Sequence, residues 1–452
     1  MSRIMLAAMS SGSGKTTVTW GLLAALRDRG VDVRAFKCGP DYIDPMFHTR
    51  LLGIPSRNLD LFLQGERAVK RTLSRHGGSL AVLEGAMGFY DGVGGTHEAS
   101  AWDVANRTST PVILVVCPGG SSLTLAAQVK GLRQFRRASR LAGIILNRCT
   151  PRMYGHLTPI LQKETGLPVL GYLPPMEEAV IPSRHLGLLT AGEVEDFPRR
   201  SAALGQQVER TVDLDRVLTI ARGVRPLPPV EPYFSAPPRC VIAVARDEAF
   251  CFYYADSLEA LEEAGAQLAF FSPLRDKTLP EGVRGLYLGG GYPELYARQL
   301  SENSSMRRSI MEAISAGMPT VAECGGFLYL QQNLEDPEKK SYPMVGFFSG
   351  KGNGTGALRR FGYITLSGRE ESMLFRPGEQ VPAHEFHHWD TDCNGESLEA
   401  VKASGQGSWR CAFTGENLYA GFPHLHLGGK LPLAARFADA AARWQPKKEG
   451  EE

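Results

Sequence analysis

The run IMLAAMSSGSGKTTVTWGLLAALRDRG, residues 4–30, decides the architecture of the first half of the chain. An apolar stretch ends in a Gly/Ser turn that carries a lysine, and apolar residues at helical spacing follow at once. The expected order is a buried strand, a tight loop and a helix, which is the context a phosphate-binding loop requires. Glycines let backbone N–H groups turn inward around a phosphate, and the helix N-terminus adds partial positive charge. Gly12, Ser13, Gly14, Lys15, Thr16 and Thr17 are therefore the candidate nucleotide residues. Lys15 can reach the β and γ phosphates, and the Thr16 hydroxyl can ligate Mg²⁺. The full pattern wants glycine five residues before Gly14; Met9 stands there, so the loop is a variant. IMLAAM is too short for the apolar part of a signal peptide.

Working outward, VDVRAFK, LAVLEG, PVILVVC, LAGIILN and PVLGYLP are short apolar, β-branched runs separated by helical patterns such as SSLTLAAQVKGLRQFRR. Strands alternating with helices imply βαβ units and a parallel sheet covered on both faces. The six prolines of GVRPLPPVEPYFSAPPR, residues 223–239, exclude helix and central strand and read as a semi-rigid linker. After it the α/β pattern restarts with CVIAVARD, YYADSLEALEEAGA, QLAFFSP, GLYLGGG and MPTVAEC. The expectation is two α/β domains, 1–222 and 240–445, with a disordered tail at 446–452.

A nucleotide loop needs acidic partners for its metal. Glu84 ends the run LAVLEG at a strand C-terminus, where ligands bind in open α/β sheets. It is the natural metal-directed carboxylate. Asp41 and Asp44, in KCGPDYIDP, read as loop residues after the second strand. They can serve a metal or an acceptor substrate, or simply form the turn beside Pro40 and Pro45. Lys37 can touch phosphate. Asp91, in the glycine-rich EGAMGFYDG, reads as part of a substrate or phosphate loop.

In AECGGFLYL, residues 322–330, Cys324 sits between an acid and two glycines, after a strand and before a helix. That is the placement of a nucleophile on a tight elbow. The helix N-terminus is expected to lower the thiol pKa, and the following N–H groups to face a developing oxyanion. Gly290 and Gly291 of LGGGYPE are candidates, with Gly325, to complete the oxyanion hole. A histidine base can come from HEFHH (384–388) or PHLHLGG (423–429). HEFHH has Pro382 upstream, Phe386 and Trp389 interleaved and no evident third ligand, so it reads as a strand or loop near a ligand and not as a zinc helix.

Bulk properties exclude several classes. A net charge of +2 over 452 residues gives no mandate for nucleic acid or a membrane surface, and no apolar run is long enough to span a bilayer. The eight cysteines are scattered singly, with no CxxC pair, so neither a disulfide framework nor a structural metal is indicated. A reducing cytoplasm fits.

Taken in order, SSGSGKTT, FKCGPDYIDPMFH, LDLF, EGAMGFYDG, GIILNR, IAVARDEAFCFYY, FFSPLRD, GLYLGGGYPE, AECGGFLYL, HEFHH and HLHL resemble the glutamine-dependent a,c-diamide synthases of the cobyrinic acid type. The resemblance implies an N-terminal, dethiobiotin-synthetase-like P-loop ATPase domain and a C-terminal class I-like glutamine amidotransferase domain. It implies that Cys324 attacks the glutamine side-chain amide with His424 as base and His426 as second choice. Since His426 stands where ordinary class I enzymes have a glutamate, it implies a Cys–His dyad. It further implies that Gly12 to Thr17 bind ATP, that Thr16, Glu84 and Asp41 hold Mg²⁺, and that Lys37, Asp44 and Asp91 face the substrate. Ammonia then displaces phosphate from an acyl phosphate on a tetrapyrrole acetate side chain. Cobyrinate is the expected ring, with hydrogenobyrinate and Ni-sirohydrochlorin as alternatives; the chain is expected to be a monomer or homodimer. Pro423 and Leu427 depart from the tyrosine and phenylalanine that many members place around the histidines. A ParA-like ATPase switch with an inactive amidotransferase domain is the rival; such switches carry an early second lysine, where this chain has Met9-Ser10.

Overall fold

The computed structural model describes residues 1–176, 197–228 and 237–446. Most of the linker's proline-rich centre (229–236) and tail residues 447–452 lie outside the described residues. The chain divides into two compact units, Met1–Glu231 and Pro232–Glu452.

The first unit is built on seven strands: β1 (Ser2–Ala8), β2 (Val33–Cys38), β3 (Ser56–Leu59), β4 (Leu80–Glu84), β5 (Val112–Val116), β6 (Leu141–Asn147) and β7 (Val169–Leu173). They pair in parallel in the order β3-β2-β4-β1-β5-β6-β7. Alternation fixes both faces. Ile4, Leu6 and Ala8 enter one apolar cluster, while Met5 and Ala7 enter the other. The helix Lys15–Asp28 covers the first face, and its Trp20 stacks on Phe197 with ring centroids 4.7 Å apart. Strand register matters most for the site. Glu84 stands opposite Leu6 of β1 and Lys37 of β2, so three neighbouring strands deliver the phosphate loop, Glu84 and Lys37 to one edge of the sheet.

The second unit contains β8 (Cys240–Ala245), β9 (Phe250–Phe252), β10 (Ala266–Phe271), β11 (Gly285–Leu288), β12 (Gly290–Gly291), β13 (Thr320–Glu323), β14 (Asn333–Glu335), β15 (Ser341–Pro343), β16 (Lys351–Gly368), β17 (Val381–Thr391), β18 (Leu398–Lys402), β19 (Ser408–Cys411), β20 (Phe413–Gly415), β21 (Leu418–Gly421) and β22 (His424–Leu425). One sheet runs β10-β8-β11-β13-β21-β20, parallel except for the last pair. A second, mixed sheet runs β15-β14-β16-β17-β22, with β18 paired to β16 and β19 to β18. The repeated βα reading of the sequence gives no hint of this second sheet. It brings HEFHH, as strand β17, alongside HLHL, with His384 opposite His424.

Candidate functional site

In the first unit Gly14 caps the helix Lys15–Asp28 in the left-handed region, φ 80°. That conformation favours glycine, and a methyl group there would lie 2.0 Å from Asn147 Nδ2 and force that side chain to move. Asn147 closes β6 and donates to the Ser13 carbonyl at 3.1 Å, a contact the sequence reading missed. Its only signal was a polar residue ending the run LAGIILN.

Lys15 Nζ donates to the carbonyls of Ser10 and Met87, so the P-loop lysine bridges its own loop and the glycine-rich loop after β4. Thr16 Oγ1 donates to Glu84 Oε1 at 2.7 Å, and Lys37 Nζ donates to the same oxygen at 2.6 Å. Lys37 also pairs with Asp44 at 2.5 Å. Burial opposes a charge on Lys37, but the carboxylates of Asp44, Glu84 and Asp41 outweigh it and hold the ammonium charged. Asp44 is helical and not on the expected loop. It occupies the first turn of the helix Ile43–Leu51, because Asp41 Oδ1 accepts the N–H groups of Ile43 (2.8 Å) and Asp44 (3.1 Å) and starts that helix. Asp91 is exposed, and its Oδ2 accepts the Gly88 N–H at 3.0 Å, closing the glycine-rich loop on itself.

Thr16 and Glu84 offer oxygen ligands, as a hard divalent cation requires, with the Lys37 ammonium bonded to Glu84 Oε1. Glu84 is fully buried, and its Oε2 has no hydrogen-bond partner among the described residues. Mg²⁺ fits that oxygen and the Thr16 hydroxyl.

In the second unit Cys324 joins β13 to the short helix Gly325–Tyr329 at φ 49°, ψ −102°. A non-glycine residue pays of order 1–3 kcal/mol for such a conformation, and it persists because the surroundings fix it. Cys324 N–H donates to Gly421 O at 2.8 Å on the neighbouring strand. A methyl on Gly326 would lie 2.1 Å from Leu288 O, so the elbow can only be this tight with glycine there. A methyl on Gly325 would lie 3.0 Å from the Gly291 amide nitrogen, and one on Gly290 would lie 2.6 Å from His424 Cε1. The elbow, the second glycine turn and the imidazole thus converge.

The expected lowering of the Cys324 pKa does not hold. Burial pushes the thiol well up, and the carboxyl of Glu294 adds to it. The five-residue helix is too short for its dipole to offset full desolvation. A preformed thiolate is therefore disfavoured, and the sulfur needs a proton acceptor at the moment of attack. Four buried histidines surround that need. His424 stacks on His384 at 4.9 Å, His426 stacks on Tyr254 at 4.8 Å, and His387 lies flat against Phe422 at 4.0 Å. His424 is the one whose ring abuts Gly290. His426 stands two residues after this base, as the dyad reading has it, but a glutamate lies near the ring by another route. Glu323 Oε2 lies 3.9 Å from His424 Nδ1, delivered by the residue before the nucleophile and not by the residue two after the base.

Burial of these rings has a pH consequence. Desolvation, with a smaller push from His426, lowers the His384 pKa from 6.5 to about 3. The folded state thus holds His384 neutral while the unfolded chain protonates it below 6.5. Its contribution to stability is complete above pH 6.5 and is lost as pH falls towards 3. In denaturant titrations His384→Gln is expected to lose less stability than the parent as pH is lowered through this window, by up to about 1.4 kcal/mol per pH unit. Parallel pH profiles for the two proteins would contradict the assignment.

Comparison with known proteins defines the class first. Residues 4–188 match the CobQ/CobB/MinD/ParA nucleotide binding domain, and residues 241–431 match the CobB/CobQ-like glutamine amidotransferase domain. Relatives that carry the name cobyrinate a,c-diamide synthase include the following three. That of Clostridium tetani is 38% identical over 95% of this chain and 98% of its own, and that of Clostridium acetobutylicum 39% identical over 95% and 98%. That of Listeria monocytogenes (strain F2365) is 38% identical over 98% of this chain and 100% of its own. The chain belongs to the cobyrinate a,c-diamide synthase family.

Proposed function

We propose that this protein is an ATP- and glutamine-dependent ligase that converts the a and c acetate carboxylates of cobyrinate into amides, in cobalamin biosynthesis. The observation that carries the proposal is a buried cysteine on a strained elbow, a glycine turn packed against that elbow and a buried imidazole packed against the turn, in a chain that also holds a variant phosphate loop. Neither a partner-switching ATPase nor a binding module has use for both.

In the second unit the Cys324 proton passes to His424 as sulfur attacks the glutamine amide carbon. The tetrahedral oxyanion is held by N–H groups drawn from Gly290, Gly291 and Gly325. Collapse gives a glutamyl thioester and ammonia, the imidazolium returning its proton to the leaving nitrogen; water then releases glutamate. In the first unit Gly12, Ser13, Gly14, Lys15, Thr16 and Thr17 bind ATP. Thr16 and Glu84 would hold Mg²⁺, which when bound neutralises phosphate charge. Asp41 is spent on starting a helix and is a weaker candidate ligand. Lys37, with Asp44, would face the acceptor carboxylate and γ-phosphate, and Asp91, on the glycine-rich loop after β4, would face the substrate. A carboxylate at neutral pH is a poor electrophile. Phosphoryl transfer turns its oxygen into a leaving group, and ammonia displaces phosphate.

The proposal requires no second protein chain and no nucleic acid. Among the described residues no helix is long and apolar enough to cross a membrane. All eight cysteines are free, which fits a reducing cytoplasm. Mass spectrometry of cobyrinate incubated with enzyme, ATP, Mg²⁺ and glutamine tests it. The expected product has lost, twice over, the mass difference between OH and NH₂. Conversion of hydrogenobyrinate or Ni-sirohydrochlorin in its place would reassign the ring, and no conversion of any would refute the ligase.

A further inference from the structure

Glu323 is a costly residue to bury. It is 1% exposed, and it has no lysine or arginine against it among the described residues. Its carboxyl is held at two points. Oε1 accepts the Leu425 N–H at 2.9 Å, and Oε2 accepts the Tyr287 hydroxyl at 3.1 Å. The first of these bonds ties it to β22, the strand that carries His424. Oε2 then faces His424 Nδ1 at 3.9 Å.

We propose that Glu323 is the positioning residue for His424 in glutamine hydrolysis, so that the acid of the catalytic set comes from the residue immediately before the nucleophile. The inference rests on the assignment of Cys324 and His424 as the glutaminase pair. With Nδ1 turned to Glu323, Nε2 is left for the sulfur. When the Cys324 proton moves to Nε2 and the sulfur electron pair forms the C–S bond, the imidazolium carries an Nδ1–H towards Oε2. Glu323 becomes its counter-ion and fixes the ring. A separation of 3.9 Å is long for a hydrogen bond in the resting state, and such contacts tighten as charge develops.

The surroundings give the role a pH signature. Facing Glu323 are Tyr253, Tyr287, Tyr419 and Cys324; facing His424 are His384 and His387; facing Cys324 are Glu294 and Glu385. Burial pushes the Glu323 carboxyl up to about 8, so its charge appears as pH rises through that value. The glutaminase kcat is expected to rise with an inflection there. A further rise at higher pH belongs to the buried Cys324 thiol.

The test is glutaminase kcat and KM against pH for the full-length protein and for Glu323→Gln, with ammonia-supported amidation measured alongside. Expected are a kcat loss on the order of 100-fold, an unchanged KM for glutamine, loss of the inflection near pH 8, and intact ammonia-supported amidation. Glu323→Asp is expected to recover part of the kcat. Tyr287→Phe removes a donor to Oε2 and is expected to move the inflection upward, which keeps the proposal testable if Glu323→Gln does not fold. An unchanged kcat and inflection in Glu323→Gln, an unmoved inflection in Tyr287→Phe, or equal loss of glutamine- and ammonia-supported activity in folded Glu323→Gln would each overturn it. Absence of glutaminase in the parent protein would instead refute the underlying assignment.

Discussion

Cys324→Ser is expected to abolish glutamine-supported amidation, by at least about 10³-fold, while amidation supported by added ammonium salts stays within a factor of about two of the parent. The asymmetry is the informative part. A hydroxyl at this position is a far weaker nucleophile than sulfur, and the site has no stronger base to activate it. The substitution is nearly isosteric, so the elbow at φ 49° and the Gly421 hydrogen bond should persist. Ammonium salts bypass sulfur altogether and need only the first unit. Steady-state assays with each nitrogen source check this, and loss with both would assign Cys324 to folding instead.

Lys15→Ala is expected to fail in the opposite pattern. Activity should fall by about 10³-fold with glutamine and with ammonium alike, because acyl phosphate formation precedes nitrogen entry in both. Lys15 is the cation able to leave its carbonyls at Ser10 and Met87 for a phosphate, whereas Lys37 is locked among Glu84, Asp44 and Asp41. ADP release assayed with each nitrogen source reads this out. Retention of ammonium-supported activity in Lys15→Ala would show that this loop does not handle the nucleotide.

The two substitutions divide the molecule as its sequence divides. The phosphate loop was legible because all its chemistry lies in consecutive residues, flanked by a strand and a helix whose periodicities are unambiguous. Glu84 was legible for a similar reason, being the acid that ends a wholly buried run. Cys324 stood out through its glycines, which a buried structural cysteine does not need. Other features depend on partners far along the chain. The Lys37–Glu84 pair follows from strand register over a gap of 47 residues. The direction of the Cys324 pKa is decided by desolvation, which no local pattern reports. Strand β16, KGNGTGALRRFGYITLSG, is rich in glycine and exposed along its middle, so it lacks the alternation that marks a strand. Without it the second sheet was invisible, and with it the partnership of His384 and His424. Glu323 was in plain view beside Cys324, but only the fold shows that it reaches His424.

The central claim is that sulfur frees the nitrogen which a nucleotide-activated acid then receives. Glutamine labelled with ¹⁵N in its side-chain amide, supplied with ATP, Mg²⁺ and cobyrinate, tests it directly by mass spectrometry of the product. ¹⁵N is expected in both new amides, with label lost in Cys324→Ser. Amide product free of ¹⁵N, or label retained without Cys324, would contradict it.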